Sequence, residues 1–300
     1  MTHEEHKAHE AHQRAQPTDN PLARYFRQPK LYIPLPSGGN FYAEGALEKT
    51  ENGEYPIYSM TARDDLTLKI PDALLNGQAT VDIIKSCVPN IKDPWVMPSI
   101  DLDAILVAIR IATYGEKLDL DVSIPNTKET RGFTLNLQTV LWQLIQAGFE
   151  ETVNHQGMVI HTKPLSYREF TRVSVRTFEE QRIIAIVNND LLKEEEKLQQ
   201  FANAFRTLTD ITIDTVQQTV RQIDVDGECV TNVDHITEFV KNCDKEFYSK
   251  VTDHIETQKK RFAIKPMEVE STEEEIKLGA PKTFDVPVVL DMSIFFVSGS

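Results

Sequence analysis

The most apolar long segment of this chain, from Ile57 to Asn126, limits most strongly what the chain can fold into. Within it, five apolar residues recur at the i, i+3, i+4 and i+7 spacing of one buried helical face. They are Leu102, Ile105, Leu106, Ile109 and Ala112. Val107 and Ile111 lie outside this stripe, so we expect the helix to be covered on more than one side. The pattern predicts a core helix.

The ends of this helix carry their own signals. Ser99 is suited to cap the first turn, and Asp101 and Asp103 follow it, where carboxylates favour the positive end of the helix dipole. Gly115 is a natural stop, because glycine adopts the left-handed conformation in which helices commonly end. The sequence therefore predicts a helix that is capped by Ser99 and ends at Gly115.

Short strands are predicted before this stretch. From Leu31 to Met60, apolar residues alternate with turn-forming residues, and prolines and glycines punctuate the segment LYIPLPSGGNFY. Neither a helix signal nor the GK[ST] sequence of a phosphate-binding loop follows the glycine pair, so a turn is favoured. Tyr32, Phe41 and Tyr42 flank this rigid turn, and we predict that they contact a partner protein.

Two alternating runs predict a β-ribbon directly after the core helix. Between residues 116 and 137, apolar side chains alternate with polar ones on both sides of a polar turn. Short helices are predicted from Thr80 to Val88 and from Thr139 to Gly148, and a strand is predicted in GMVIHT. Ser166 and Glu169 have the spacing of a capping box, which marks the start of a further helix.

The second half is predicted to be mainly helical and to end as strand, acidic loop and strand. The run from Asp224 to Glu228 resembles a calcium loop, but an EF-hand needs acidic ligands where Gln222 and Val233 stand, so an Asp-Gly hairpin turn is favoured. Apolar residues form four helical stripes. These are Ile183, Ile184, Val187 and Leu191; Leu198, Phe201, Ala202 and Phe205; Ile213, Val216, Val220 and Ile223; and Ile236, Phe239, Val240, Cys243 and Phe247.

Together these elements predict an α+β fold, with short N-terminal strands, a buried helix and a β-ribbon, then a mainly helical second lobe that ends in a strand. Residues 1–24 are predicted to be a disordered polar tail. Residues 25–164 are predicted to form an α+β lobe with the ribbon, and residues 165–300 a mainly helical lobe with a C-terminal β-ribbon, divided near Pro164.

Composition narrows the classes of function. The 300 residues include 46 acidic and 32 basic ones, which gives a formal charge of −14, so we expect no nucleic-acid partner. No apolar run reaches the roughly 20 residues that span a bilayer, and the N-terminus lacks a signal-peptide core, so we expect no membrane contact. Cys87, Cys229 and Cys243 are far apart and odd in number, which favours reduced thiols in a cytoplasmic compartment.

Known catalytic and cofactor motifs are absent from the sequence, so we expect no enzyme, no cofactor and no metal. Asp64 and Asp65 could serve acid–base chemistry, but we expect them in a turn. His155 and His161 flank a predicted strand without a partner nucleophile at a recognisable spacing. Four tail histidines would share one helical face, although a solvated tail is favoured over a metal site. They are His3, His6, His9 and His12.

Four segments occur in an order that resembles the baseplate hub assembly proteins of contractile-tailed, T-even-type bacteriophages. They are LYIPLPSGGNFY, MTARDDLTLKIPDALLNG, VDIIKSCVPNI and DLDAILVAIRIATYGE. The resemblance covers Leu31 to Asn126, and more loosely a later helix followed by VPVVLDMSIFF. Ribbons in such relatives can carry Cys-x-x-Cys pairs that bind zinc. The turn from Ile124 to Thr127 has no cysteine here, so zinc bound through cysteine is not expected.

The resemblance implies a structural or assembly protein of the tail baseplate or its hub, acting through contacts with other phage tail proteins. It would reside in the virion or, during assembly, in the host cytoplasm, alone or as a homo- or hetero-oligomer. Phe295 and Phe296 are predicted to contact a partner, with a core strand as the alternative. Two other functions remain open, namely a transient chaperone, for example of the tape-measure protein, and a hydrolase-type enzyme.

Overall fold

A computed structural model of the chain shows an α+β fold, as the sequence predicts. It describes residues 22, 25–70, 77–174, 194–288 and 296. The strands form small antiparallel sheets, against which the helices pack. The predicted polar tail, apart from Leu22, lies outside the described residues, as does the predicted stripe from Ile183 to Leu191.

Strands and helices alternate in the first half of the chain. In order they are β1 (Pro29–Pro34), β2 (Glu54–Tyr58), α1 (Ala62–Thr67), α2 (Gln78–Cys87), α3 (Leu102–Tyr114), β3 (Lys117–Ser123), β4 (Thr130–Asn136), α4 (Leu137–Ile145), β5 (Thr152–His155) and β6 (Met158–Thr162). β1 pairs with β2, and β3 pairs with β4. The predicted early strands, ribbon and short helices α2 and α4 are thereby confirmed.

The second half contains the longest helix that the structure describes. Residues 167–174 are helical, and the bonds between Ser166 and Glu169 confirm the predicted capping box. The later elements are α5 (Glu194–Thr219), β7 (Val220–Val225), β8 (Glu228–Val230), α6 (Val233–Asn242), α7 (Lys245–Phe262), β9 (Met267–Glu270), α8 (Glu273–Lys277) and β10 (Thr283–Val286).

Helix α3 is the centre of the largest core. Each residue from Ala104 to Ile109 is less than 5% exposed, because β1, β2, α2 and α4 pack around the helix. Complete burial of one large aliphatic side chain contributes about 1.5–3 kcal/mol, so this helix is a main source of stability. The prediction of a core helix covered on more than one side is confirmed.

The start of α3 differs from the prediction. Residues Ser99–Asp101 form a 3-10 turn, and the α-helix begins only at Leu102. The backbone N–H of Ser99 donates to the carbonyl of Leu165 at 2.7 Å, which ties this turn to the chain before the next helix. The prediction that Ser99 caps α3 is therefore wrong. Gly115 ends α3 as predicted, with φ 95° and a bond from its N–H to the carbonyl of Ile111.

A four-stranded antiparallel sheet, in the order β5-β6-β7-β8, is the centre of a second core. Residues from α5, α6 and α7 pack on it. Asp226 and Gly227 connect β7 to β8 with φ values of 51° and 84°, so the predicted Asp-Gly hairpin is confirmed. This sheet combines strands from both sides of Pro164. The division into two lobes at that residue stays a prediction.

A β-bulge explains one wrong prediction. Val220 and Ile223 are predicted on a helical face, but α5 ends at Thr219 and both residues lie in β7. Both are nevertheless buried, at 4% and 5% exposure. β7 has one extra residue opposite the step from His161 to Thr162, and a bulge reverses the alternation of side chains. Residues three apart in the strand therefore face the same core, as they would in a helix.

The last predicted helical stripe is divided between α6 and α7. A continuous run through Cys243 to Phe247 is predicted, but α6 ends at Asn242 and α7 begins at Lys245. The carboxylate of Asp244 accepts a hydrogen bond from the backbone N–H of Phe247 at 2.7 Å. Aspartate is among the best N-cap residues, so it starts a new helix inside the apolar repeat.

The β3–β4 ribbon packs on a second ribbon formed by β9 and β10. Arg131 of β4 joins the two by donating to the carboxylate of Glu275 at 2.9 Å and to the carbonyl of Glu270 at 3.0 Å. The acidic loop predicted between the last strands contains helix α8, because Thr272 and Glu275 form a capping box. The small third core consists mainly of Leu120, Val122, Ile124, Phe133, Met267, Val269, Phe284 and Val286.

Candidate interaction site

A groove of about 320 Å³ lies where β1 passes the C-terminal end of α3 and helix α4. Tyr32 of β1 and Trp142 of α4 line it, and they are 58% and 50% exposed. The combination of apolar surface and exposed aromatic rings is typical of protein contacts. The apolar lining also includes Leu31, Ile33, Ile111, Ala112, Leu141 and Ile145.

The edge of β1 runs along this groove, since every residue from Lys30 to Pro34 lines it. Among the described residues β1 pairs with β2 alone, so within this part of the chain no strand occupies its second edge, which we call the open edge. Side chains alternate along β1: Ile33 is buried, whereas Lys30 and Tyr32 point outward. An open strand edge beside apolar surface is a template for an added strand.

The LYIPLPSGGNFY segment is anchored below this strand by a buried carboxylate. Asp101, with 0% exposure, accepts hydrogen bonds from the N–H of Ser37 at 2.7 Å, from its hydroxyl at 2.7 Å and from the hydroxyl of Tyr42 at 2.9 Å. Burial raises the pKa of Asp101 to about 6, although these hydrogen bonds oppose the rise. Asp101 therefore positions the loop. The prediction that it serves in the first turn of α3 is wrong.

The turn in this segment requires glycine. Gly39 has φ 75°, and a Cβ atom there would lie only 2.9 Å from the hydroxyl oxygen of Tyr55. The expected turn is thus confirmed, and its backbone passes close to β2. Burial raises the pKa of the Tyr42 hydroxyl well above its usual value, and the nearby charge of Asp101 adds to the rise. Tyr42 consequently remains a hydrogen-bond donor to Asp101.

Phe41 joins the loop to the part of the chain that contains the four-stranded sheet. Its ring meets that of Phe149 edge-on at 5.5 Å, and the guanidinium of Arg221 in β7 lies 5.9 Å from its ring centre. Phe41 and Tyr42 are therefore both engaged within the chain, whereas Tyr32 is exposed. That any of the three binds a partner stays a prediction.

Phe296 lies in the core around α3 and is 1% exposed. Its carbonyl oxygen accepts a hydrogen bond from the hydroxyl of Tyr114 at 2.8 Å. The side chain is therefore buried, as in the core-strand alternative that the sequence leaves open, although Phe296 itself lies in a turn. Phe295 lies outside the described residues.

The acidic pair considered for acid–base chemistry lies in helix α1, not in a turn. Asp64 forms a capping box with Thr61 and accepts a further bond from the hydroxyl of Ser86 at 2.9 Å. Asp65 pairs with Lys69 at 2.9 Å. Asp64 thus belongs to the helix start and to its contact with α2, and Asp65 belongs to an exposed ion pair.

His161 and Asp224 form a pair on neighbouring strands, with 2.8 Å between Nε2 and Oδ2. Hydrogen bonds from Gln222 and His161 lower the pKa of Asp224. Cys229 lies beside the same carboxylate. Desolvation is the main cause that raises the pKa of its thiol, and the hydrogen bond to Asp224 adds to the rise. A cysteine nucleophile needs a base or a positive charge beside it, and this thiol instead faces a carboxylate.

Within the part of the chain that the structure describes, no group of three or more His, Cys, Asp or Glu side chains is arranged to hold a metal ion. The four tail histidines lie outside that part. The same described ranges contain no helix that is both long and apolar enough to cross a membrane.

Two residues of this region were not singled out from the sequence. Trp142 lies outside the apolar stripe of its helix, and an aromatic residue on the polar side of a helix is a recognisable signal of an exposed contact. Arg27 ties the chain before β1 to the carbonyls of Ser59 and Ser86 and lies 3.6 Å from Asp64. No local pattern marks Arg27, because its partners are 32 to 60 residues away.

Comparison with protein families gives one match, to a family described as T4 bacteriophage base plate protein, over residues 49–284. The matched range is well over half of the chain, includes α3, the β3–β4 ribbon and the four-stranded sheet, and ends within β10 of the second ribbon. It begins after β1 and the loop anchored by Asp101. No curated protein and no solved structure matches.

Proposed function

Since the chain belongs to the T4 bacteriophage base plate protein family, we propose that it is a component or assembly protein of the baseplate hub and acts through protein–protein contacts. The proposal includes no catalytic step, cofactor or metal. Its partners are other proteins of the phage tail. The groove beside the open edge of β1 supports a role in protein–protein contacts independently of the family match.

The groove fits an extended segment of another tail protein. The open edge of β1 offers backbone donors and acceptors, and the lining between Tyr32 and Trp142 accepts apolar side chains of the added strand. The anchored turn below β1 holds this edge in place through Asp101. Since the site is preformed, binding would require little ordering of the chain, which favours affinity.

A transient chaperone is the second candidate, and a different surface favours it. Leu198 and Phe205 of α5 are 70% and 57% exposed, and the rings of Phe201 and Phe205 stack at 5.6 Å. An exposed apolar stripe of this kind can hold an apolar segment of a tail protein before assembly. Such a factor would be absent from the finished particle.

Mass spectrometry of purified phage particles beside tail-assembly intermediates tests the proposal. Presence in mature particles at a fixed, symmetry-compatible copy number would identify a structural component of the baseplate. Presence in intermediates alone would identify an assembly factor or chaperone. Absence from both would overturn the proposed function.

Matched variants distinguish the two surfaces. Replacing Tyr32 and Trp142 by serine should reduce incorporation into tails by about 10- to 100-fold, because exposed aromatic anchors carry a large share of binding energy. Replacing Leu198 and Phe205 by serine removes comparable apolar surface elsewhere and should leave incorporation unchanged. If only the second pair matters, α5 and not the groove is the contact.

A further inference from the structure

A buried histidine outside the proposed contact surface faces the start of helix α7. His155 is the last residue of β5, and its side chain is only 1% exposed. Among the described residues, neither ring nitrogen has a hydrogen-bond partner. A buried polar group without a partner destabilises the folded state, so this arrangement needs a physical explanation.

The surroundings fix the position of this ring. His155 pairs with Met158 across a tight turn in which Gln156 and Gly157 have φ values of 46° and 83°. The ring of Phe247 meets the imidazole edge-on, with 5.7 Å between centroids. Phe247 is itself 1% exposed and packs on Phe239, so the histidine cannot turn towards water without opening this core.

Two carboxylates at the start of α7, from the N-cap residue Asp244 and from Glu246 in the first turn, lie just beyond hydrogen-bond distance of the ring. Nε2 of His155 is 3.9 Å from Oδ1 of Asp244, and Nδ1 is 4.0 Å from Oε1 of Glu246. The side chains of Asp244 and Glu246 are 57% and 63% exposed, so each keeps contact with solvent. Each nitrogen thus has its own acceptor within a short movement.

The two protonation states of imidazole differ in the hydrogen bonds that they can donate here. Neutral imidazole has one N–H donor and one acceptor nitrogen, and only the donor can bond to a carboxylate. Imidazolium has two donors, which match the two carboxylates. We propose that His155, Asp244 and Glu246 form a proton-operated latch, in which one proton bound by His155 draws both carboxylates inward and fastens the β5–β6 hairpin to the start of α7.

Two other donors share these carboxylate oxygens. Nζ of Lys250 lies 3.9 Å from the same Oε1 atom of Glu246, and the N–H of Phe247 donates to the same Oδ1 atom of Asp244 at 2.7 Å. A carboxylate oxygen has two lone pairs, so His155 can share each oxygen with its present partner.

The thiol of Cys243, between α6 and α7, donates to the carbonyl of Val240 at 3.2 Å. Burial raises the pKa of this thiol, so Cys243 stays neutral in the range where histidine titrates. Met158, the partner of His155 on β6, has no titratable group.

Thermal unfolding at pH 7.5 and pH 5.5 tests the latch, with wild type compared with His155→Phe. Acidification should raise the Tm of wild type by about 2–4 °C relative to that variant, because only wild type gains the two charge-assisted bonds. Effects of all other groups cancel in this difference. An equal response of the two proteins, or a fall in wild type relative to the variant, would overturn the proposal.

A second variant keeps the test decisive if His155→Phe does not fold. The double variant Asp244→Asn and Glu246→Gln retains the histidine, and asparagine preserves the N-cap of α7. Relative to wild type, it should lose the rise in Tm on acidification. It should also lose the increase in protection of the β5–β6 amides from hydrogen exchange that accompanies this rise. His161→Gln, which affects a histidine already paired with Asp224, should keep both. A gain retained in the double variant would equally contradict the latch.

Discussion

Two buried ionisable side chains, Asp101 and His155, lie in the two larger cores under opposite conditions. Asp101 is surrounded by donors and accepts three hydrogen bonds from Ser37 and Tyr42. His155 has no hydrogen-bond partner among the described residues. The hydrogen-bonded Asp101 fixes one conformation of a loop, whereas His155, which lacks hydrogen bonds, can gain them when its charge changes. Burial alone therefore does not tell whether an ionisable residue is structural or responsive.

The largest effect on the free energy of unfolding is expected from removing the carboxylate of Asp101. Asp101→Ala would leave the N–H and hydroxyl of Ser37 and the hydroxyl of Tyr42 buried without an acceptor, which should lower the free energy of unfolding by about 3–5 kcal/mol. Urea unfolding measures this loss. Asp101→Asn is the matched control and should cost less than about 1.5 kcal/mol at pH 7.5, because its amide oxygen still accepts a bond. Equal losses would show that the charge, not the set of bonds, holds the loop.

The pH dependence of stability sharpens the comparison. The pKa of Asp101 rises from 3.8 to about 6 on folding, so the folded state binds this proton more strongly. The stability that comes from this stronger proton binding is therefore fully present below about pH 4 and is lost as pH rises through 6, whereas the hydrogen bonds from Ser37 and Tyr42 are kept. Relative to Asp101→Asn, wild type should lose about 1–2 kcal/mol between pH 4 and pH 6.5 in urea unfolding. A parallel pH profile for the two proteins would contradict the raised pKa.

The smallest expected effect concerns the third core, where a buried acid is paired with a partly exposed base. Glu275 is 9% exposed at its side chain and Arg131 is 26% exposed, with 2.9 Å between them. Arg131→Ala should lower the free energy of unfolding by about 1–2 kcal/mol, because Glu275 loses a charged donor near solvent. Lys69→Ala removes an exposed ion pair and should change stability by less than about 0.5 kcal/mol. Equal effects would place Arg131 among ordinary surface ion pairs.

Local signals predicted much of this fold from the sequence. The stripe of α3, the alternation in β3 and β4, the Asp226-Gly227 turn and the capping box at Ser166 each depend on residues within a few positions of one another. Such short-range preferences are a property of the chain itself.

Some wrong predictions arose where distant residues decide, whereas the N-cap at Asp244 and the capping box of Thr61 and Asp64 are local signals. Asp101 was predicted in the first turn of α3, but its carboxylate accepts hydrogen bonds from Ser37, 64 positions earlier in the chain. The bulge in β7 places Val220 and Ile223 on one face and thereby imitates helical spacing. The groove beside β1 could not be predicted, because Tyr32 and Trp142 meet only through packing of β1, α3 and α4.

The bond between Tyr114 and Phe296 has a consequence for the order of folding. It joins residues 182 positions apart, and the other fully buried members of that core lie between residues 33 and 167. At a synthesis rate of about 5–20 residues per second, the interval between synthesis of Tyr167 and synthesis of Phe296 is roughly 6–26 s. A chain interrupted during that interval keeps an unfilled site beside α3. Packing of the core around α3 is therefore complete only after the segment that contains Phe296 has been synthesised.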